Sequence, residues 1–157
     1  MGRNLRGIAA AEAPIVPPTL DIPPPHAARM AGLERRALSA PFGVAAFGVF
    51  QTRVPPGEMS GLRHRHSRSE EFVYVLEGEA VLVGDDAETV LISGMCAGFP
   101  AGSAHHLLNR SERDLVYLEV AHAAPGDEVE FPDDDLALAG PEPGRLRGFT
   151  RKDGGPL

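Results

Sequence analysis

The stretch RHRHSRSEEFVYVLEGE, residues 63–79, decides the fold of this chain. In an extended strand, residues two apart project to the same face. His64 and His66 therefore point together, while Arg63 and Arg65 point away. Ser67 to Ser69 can turn the chain. Glu71 then opens a strand, EFVYVL, that runs to Leu76 and stops at Glu77-Gly78. Two imidazoles and a carboxylate can thus converge from adjacent strands. Glu70 and Glu71 both lie within reach of the pair, and strand alternation favours Glu71.

Outward from this stretch the sequence reads as strand after strand. Val44 to Val54 is β-prone and ends at Pro55-Pro56-Gly57. Ala80 to Val83 follows, then a Gly84-Asp85-Asp86 hairpin turn, then Glu88 to Ile92. Ser93-Gly94 turns the chain again, and His105 to Asn109 and Leu115 to His122 complete the series. Short strands at regular spacing, with no helical periodicity between them, predict an antiparallel sandwich or barrel. Gly78, Gly94 and Gly102 read as turn formers.

A second segment, GMCAGFPAGSAHHLLN at residues 94–109, supplies a turn, a sharp break and a further strand. His105, Leu107 and Asn109 share one face; His106 and Leu108 take the other. Asn109 is expected to stitch its turn by side-chain hydrogen bonds, and His106 to face away from His105. Three imidazoles and a carboxylate suit a borderline divalent metal such as Mn, Fe, Co, Ni, Cu or Zn. An octahedral ion so held keeps open positions.

The ends of the chain differ from its middle. Residues 1–40 are crowded by Pro14, Pro17, Pro18, Pro23, Pro24 and Pro25 and read as an extended arm. Ile15, Val16, Leu20 and Ile22 give it something to bury on the barrel or on a second subunit. A short helical turn fits His26 to Leu33. Residues 41–135 form the barrel, and 136–157 an extension beyond it. The run from Asp127 to Asp135 is acidic, a solvated face in which Val129 and Phe131 can add an edge strand.

The chain of 157 residues suits one domain. Gly (18) and Pro (15) are both frequent, which favours turns over long helices. A net charge of −7 and an aromatic content of 6% argue against nucleic acid or an anionic membrane as a partner. Cys96 stands alone, so no internal disulfide forms; it reads as a small buried apolar residue, in keeping with a reducing cytoplasm. No secretory leader or membrane span is evident, and a cytoplasmic location is expected. His122 reads as a strand-end residue. Phe72 and Tyr74 alternate with the inward residues of their strand and should face outward, where a partner in a homodimer could cover them.

The two segments resemble the two cupin motifs. The first, G-x5-H-x-H-x3,4-E-x6-G, is filled by His64, His66, Glu71 and Gly78, but its opening glycine position holds Glu58. The second, G-x5-P-x-G-x2-H-x3-N, is filled throughout by Gly94, Pro100, Gly102, His105 and Asn109. The resemblance implies a double-stranded β-helix, the jelly-roll barrel. It also implies one metal ion held by His64, His66, Glu71 and His105. Residues 63–79, with AGFPAG, HHLLNRSERDLVYLEV and the ending RKDGGPL, are further similar to small bacterial cupins of a sugar-phosphate-isomerase-like group.

These readings predict a metal-dependent enzyme acting on a small polar molecule, sugar-like or an oxo acid, by isomerase or oxygenase chemistry. The alternative is a non-catalytic module that binds or senses a small sugar-like ligand.

Overall fold

The computed structural model describes residues 7–17, 22–138 and 148–157. The alternation in residues 70–77 is realised in strand β5 (Glu70–Glu77). Val73 and Val75 are buried while Phe72 and Tyr74 are exposed on the opposite face. The other strands in chain order are β1 (Ile15–Val16), β2 (Glu34–Ala37), β3 (Gly48–Val54) and β4 (Arg65–His66). After β5 come β6 (Glu79–Val83), β7 (Glu88–Ile92), β8 (Cys96–Phe99) and β9 (His106–Leu108). β10 (Leu115–His122), β11 (Val129–Glu130), β12 (Ala137–Leu138) and β13 (Phe149–Thr150) complete the set. The only helical segments among the described residues are three 3-10 turns, one of them at His26–Met30.

The strands form an all-β jelly roll. A six-stranded sheet has the order β1-β2-β3-β10-β5-β8. It is faced by two smaller sheets, β7-β6-β9 and β13-β12-β11-β4. An isolated bridge between His64 and His105 joins these smaller sheets. The core lies between the layers: Val54, Val73, Val75, Leu115 and Tyr117 from the large sheet meet Ala80, Leu91 and Leu107. A second cluster of Leu62, Phe131 and Leu136 closes one end, with Ile22 and Met30 packed against it.

Register sets which side chains face the interior. Glu71 pairs with Ala121, and Val73 pairs with Glu119, which in turn pairs with Phe50. Arg35 pairs with Thr52, and Thr52 with Tyr117. Glu71, Glu119, Tyr117, Thr52 and Arg35 all line the interior of the barrel.

Several details differ from the sequence reading. The strand expected from Val44 begins at Gly48, and Val44 and Phe47 are exposed. Residues 44–47 have no partner strand to satisfy their backbone, so they stay in the loop. Cys96 is exposed, not buried: it sits on the outer face of β8 opposite Tyr74. Ile15 is also exposed, and Ile22 does the packing. Pro18 and Leu20 lie outside the described residues.

Candidate metal centre

Three segments deliver the polar cluster. β4 carries His66, with His64 just before it. β5 presents Glu71 at its start, and His105 stands immediately before β9. His64, His66 and Glu71 each offer a ligand atom, and these atoms lie within 4.8 Å of one another. The His64 Nε2 is 3.8 Å from Glu71 Oε2, and the His66 Nε2 is 3.7 Å from Oε1. His105 joins through Glu71, with its Nε2 at 2.8 Å from Oε2. Glu70, the alternative carboxylate, is exposed at the outer end of the strand.

The far side of each imidazole is anchored. Nδ1 of His64 lies 2.8 Å from the Leu62 carbonyl, and Nδ1 of His105 lies 3.1 Å from that of Ser103. Nδ1 of His66 lies 2.6 Å from Asp127 Oδ2. Carbonyl and carboxylate oxygens only accept, so each Nδ1 carries the proton and donates it. This leaves the Nε2 lone pairs of His64 and His66 directed at the interior. Outer partners of this kind fix the tautomer and ring orientation of metal-binding histidines. Phe99 stacks on His105 at 3.7 Å between centroids and 8° between planes, which fixes that ring further.

Asp127 is itself held by the backbone N–H groups of Arg68 (2.7 Å) and Ser69 (3.1 Å). Partial burial opposes its charge, but these donors and His66 outweigh it and hold its carboxyl below the usual carboxylate range. At Glu71 burial likewise works against the charge. The His105 hydrogen bond and the neighbouring imidazoles prevail, and the carboxyl is held low. His64 goes down to about 4, chiefly through burial, so it is neutral at physiological pH and available as a ligand.

The donor set fits a divalent ion. Two ligand atoms on one ion at about 2.1 Å stand roughly 3–4 Å apart, the spacing seen from Glu71 to His64 and His66. The remaining motif residues serve the frame. Asn109 is buried; its Nδ2 donates to the Val54 and Arg113 carbonyls at 2.8 and 2.7 Å, and its Oδ1 accepts from Ser111. His106 faces away and meets the Gly61 carbonyl at 3.1 Å. Arg63 and Arg65 also point outward: Arg63 binds Asp133 and Asp85, each at 2.9 Å, and Arg65 reaches Glu130 at 3.5 Å.

The cluster opens into a cavity of about 770 Å³. Its wall carries a pair that the sequence reading did not single out. Arg35 donates to Glu119 at 2.5 Å, and the Arg35 guanidinium also lies 3.5 Å over the Phe50 ring. Burial pushes the Glu119 carboxyl up, and Arg35 offsets only part of that. Neither residue belongs to a motif. Only β2–β3–β10 pairing brings them together.

A model of the cupin domain family matches residues 50–121. A solved structure of a sugar phosphate isomerase of the cupin superfamily, from Silicibacter pomeroyi, is 37% identical. The match covers 87% of this chain and 88% of that one, with a TM-score of 0.77. A protein from Acidithiobacillus ferrooxidans, provisionally named a sugar phosphate isomerase, is 25% identical over 77% of both chains, with a TM-score of 0.69. The polyketide cyclase RemF from Streptomyces resistomycificus, 21% identical over 78% of this chain and 83% of its own, shares the fold at a TM-score of 0.63. No curated protein sequence matches the chain. No helix among the described residues is long and apolar enough to cross a membrane.

Proposed function

The chain belongs to the cupin family, and on that premise we propose that it is a metal-dependent enzyme of the isomerase type, with one divalent ion held by His64, His66, Glu71 and His105. The observation that carries this reading is the anchoring of the three rings. Each Nδ1 donates to a fixed acceptor, and each Nε2 lies within 4 Å of one carboxylate. A surface histidine needs no such arrangement. The short contact between His105 and Glu71 is held by a proton that a divalent cation can replace.

When bound, the ion supplies Lewis acidity toward a substrate carbonyl or hydroxyl. The chain's own residues supply the rest. Glu119 stands on the same inner face as Glu71, on the adjacent strand. It is a buried carboxyl whose affinity for protons burial raises, and burial is one way a carboxyl is tuned to take and return a proton. Arg35 holds it in place at 2.5 Å. Isomerisation of a hydroxycarbonyl compound needs a proton carrier of this kind and a group that polarises the carbonyl, which a bound ion would supply. The 37% identical relative named a sugar phosphate isomerase supports the same reading.

The test uses untagged protein loaded with Zn(II), Mn(II) or Fe(II) in turn. Solvent deuterium incorporation into a panel of hydroxycarbonyl compounds is followed by NMR. The expected result is metal-dependent exchange at the carbon next to the carbonyl. It should fall at least 100-fold in Glu119→Gln, which keeps the metal. Dioxygen consumption in place of exchange would overturn the isomerase assignment. Tight binding without turnover would favour a sensing module.

A further inference from the structure

The cavity is large for the cluster at its base. A polar substrate of ten heavy atoms takes up on the order of 300 Å³ at one water volume per atom. The cavity offers about 770 Å³, within the range of sites that enclose drug-sized ligands. Its metal-binding groups are gathered at one point of the wall. The rest of its lining includes the apolar Leu33, Val44, Phe47 and Phe50, with Ser39 and His122 among them.

Val44 and Phe47 add a second observation. They are 41% and 45% exposed although both are large and apolar. Both belong to the loop that leads into β3, and both line the cavity. Exposed apolar side chains gathered at a cavity mouth mark a binding surface. The register gives the distance. Gly48, where this loop enters β3, pairs with Ala121, which pairs with Glu71. The loop therefore starts two strands from the ligand carboxylate, roughly 10 Å away. Two residues along β3 stands Phe50, whose ring packs over Gly48 and under the Arg35 guanidinium. Phe50, Val44 and Phe47 thus put apolar side chains on the β3 side of the cavity.

We infer that the substrate is amphiphilic: adjacent oxygens bind at the His64, His66, Glu71 and His105 end, and an apolar body extends along Phe50 to Val44 and Phe47. This rests on the metal-centre reading above and specifies the substrate class for it. A wholly polar small molecule would leave Val44 and Phe47 uncovered.

Two probes with one chelating head separate the possibilities. Acetohydroxamate and octanohydroxamate differ by six methylenes, and each methylene buried is worth about four-fold in affinity. Titration calorimetry on the full chain loaded with zinc is expected to show octanohydroxamate binding at least 100-fold more tightly. The double variant Val44→Ser, Phe47→Ser changes only exposed loop residues. It should lower octanohydroxamate affinity at least ten-fold and leave acetohydroxamate unchanged. Equal affinities for the two probes would overturn the amphiphilic assignment while leaving the metal centre standing. An unchanged affinity in the double variant would overturn the placement of the apolar body on Val44 and Phe47. Octanohydroxamate binding that persists without zinc would overturn the chelating head. Failure of the chain to hold zinc, with neither probe bound, would overturn the metal reading and this inference with it.

Discussion

Asp127 connects the metal cluster to the backbone around it. One of its oxygens accepts from His66 and the other from the Arg68 and Ser69 amides. Its removal should free the His66 ring while leaving every ligand in place. Asp127→Ala is expected to weaken metal affinity about 10–100-fold, measured by competition with a chromophoric chelator. Glu119 makes a pH prediction. Its carboxyl is raised on folding, so the folded chain holds the proton more firmly than the unfolded chain. Its contribution is fully present below the unfolded value and is lost as pH rises through the folded one. Denaturant titrations across that range should show the decline in the native chain and a flatter profile in Glu119→Gln. At this scale the sequence was informative wherever spacing fixed orientation. His64 and His66 could be placed on one side by counting in twos, Glu71 by alternation with Val73 and Val75 along its own strand, and Asn109 by its turn. Asp127 and Glu119 could not, because each meets its partner across a long separation: His66 to Asp127, Arg35 to Glu119. A count along one strand contains no information about the strand opposite.

At the level of elements, the turns decide where strands stop. Gly78 takes φ +79° between β5 and β6, and a Cβ there would stand within 2.4 Å of the Asp114 carbonyl oxygen. Gly57 also takes φ +79°, but a Cβ there meets nothing. Gly57→Ala should therefore cost about 1–2 kcal/mol from the left-handed backbone alone. Gly78→Ala should cost clearly more, and thermal denaturation of the two variants compares them directly. Gly57 also accounts for the departure at position 58. It takes the turn, and Glu58 is free to accept the Gly32 amide at 2.9 Å, tying the segment before β2 to the barrel. β7 and β10 fall where alternation put them, and β5 extends one residue further at each end. β2 and β8 were not legible. Glu34–Ala37 reads ERRA, with no β-branched residue, and forms a strand because β3 offers it a partner and Arg35 an interior one. Cys96–Phe99 has two small residues and sits inside a motif read for its turns.

Across the whole molecule, the metal cluster depends on layers brought together from distant parts of the chain. β11 pairs Val129 with His66 and places Phe131 beneath the cluster. Phe131 is 1% exposed and packs against Leu62 and Leu136. Phe131→Ala should destabilise the fold by about 3–5 kcal/mol in denaturant titrations and weaken metal binding with it. The barrel itself was readable from the chain because strand spacing and turn residues repeat through it. The cavity was not, since its volume comes from the gap between sheets and its mouth from loops. The account stands on four side chains meeting at one ion. An anomalous difference map from a crystal of the metal-loaded protein, collected at the metal's absorption edge, tests this most directly. The account predicts one peak about 2.0–2.2 Å from the Nε2 atoms of His64, His66 and His105 and from the Glu71 carboxylate. A peak elsewhere, or these imidazoles turned away from it, would contradict it.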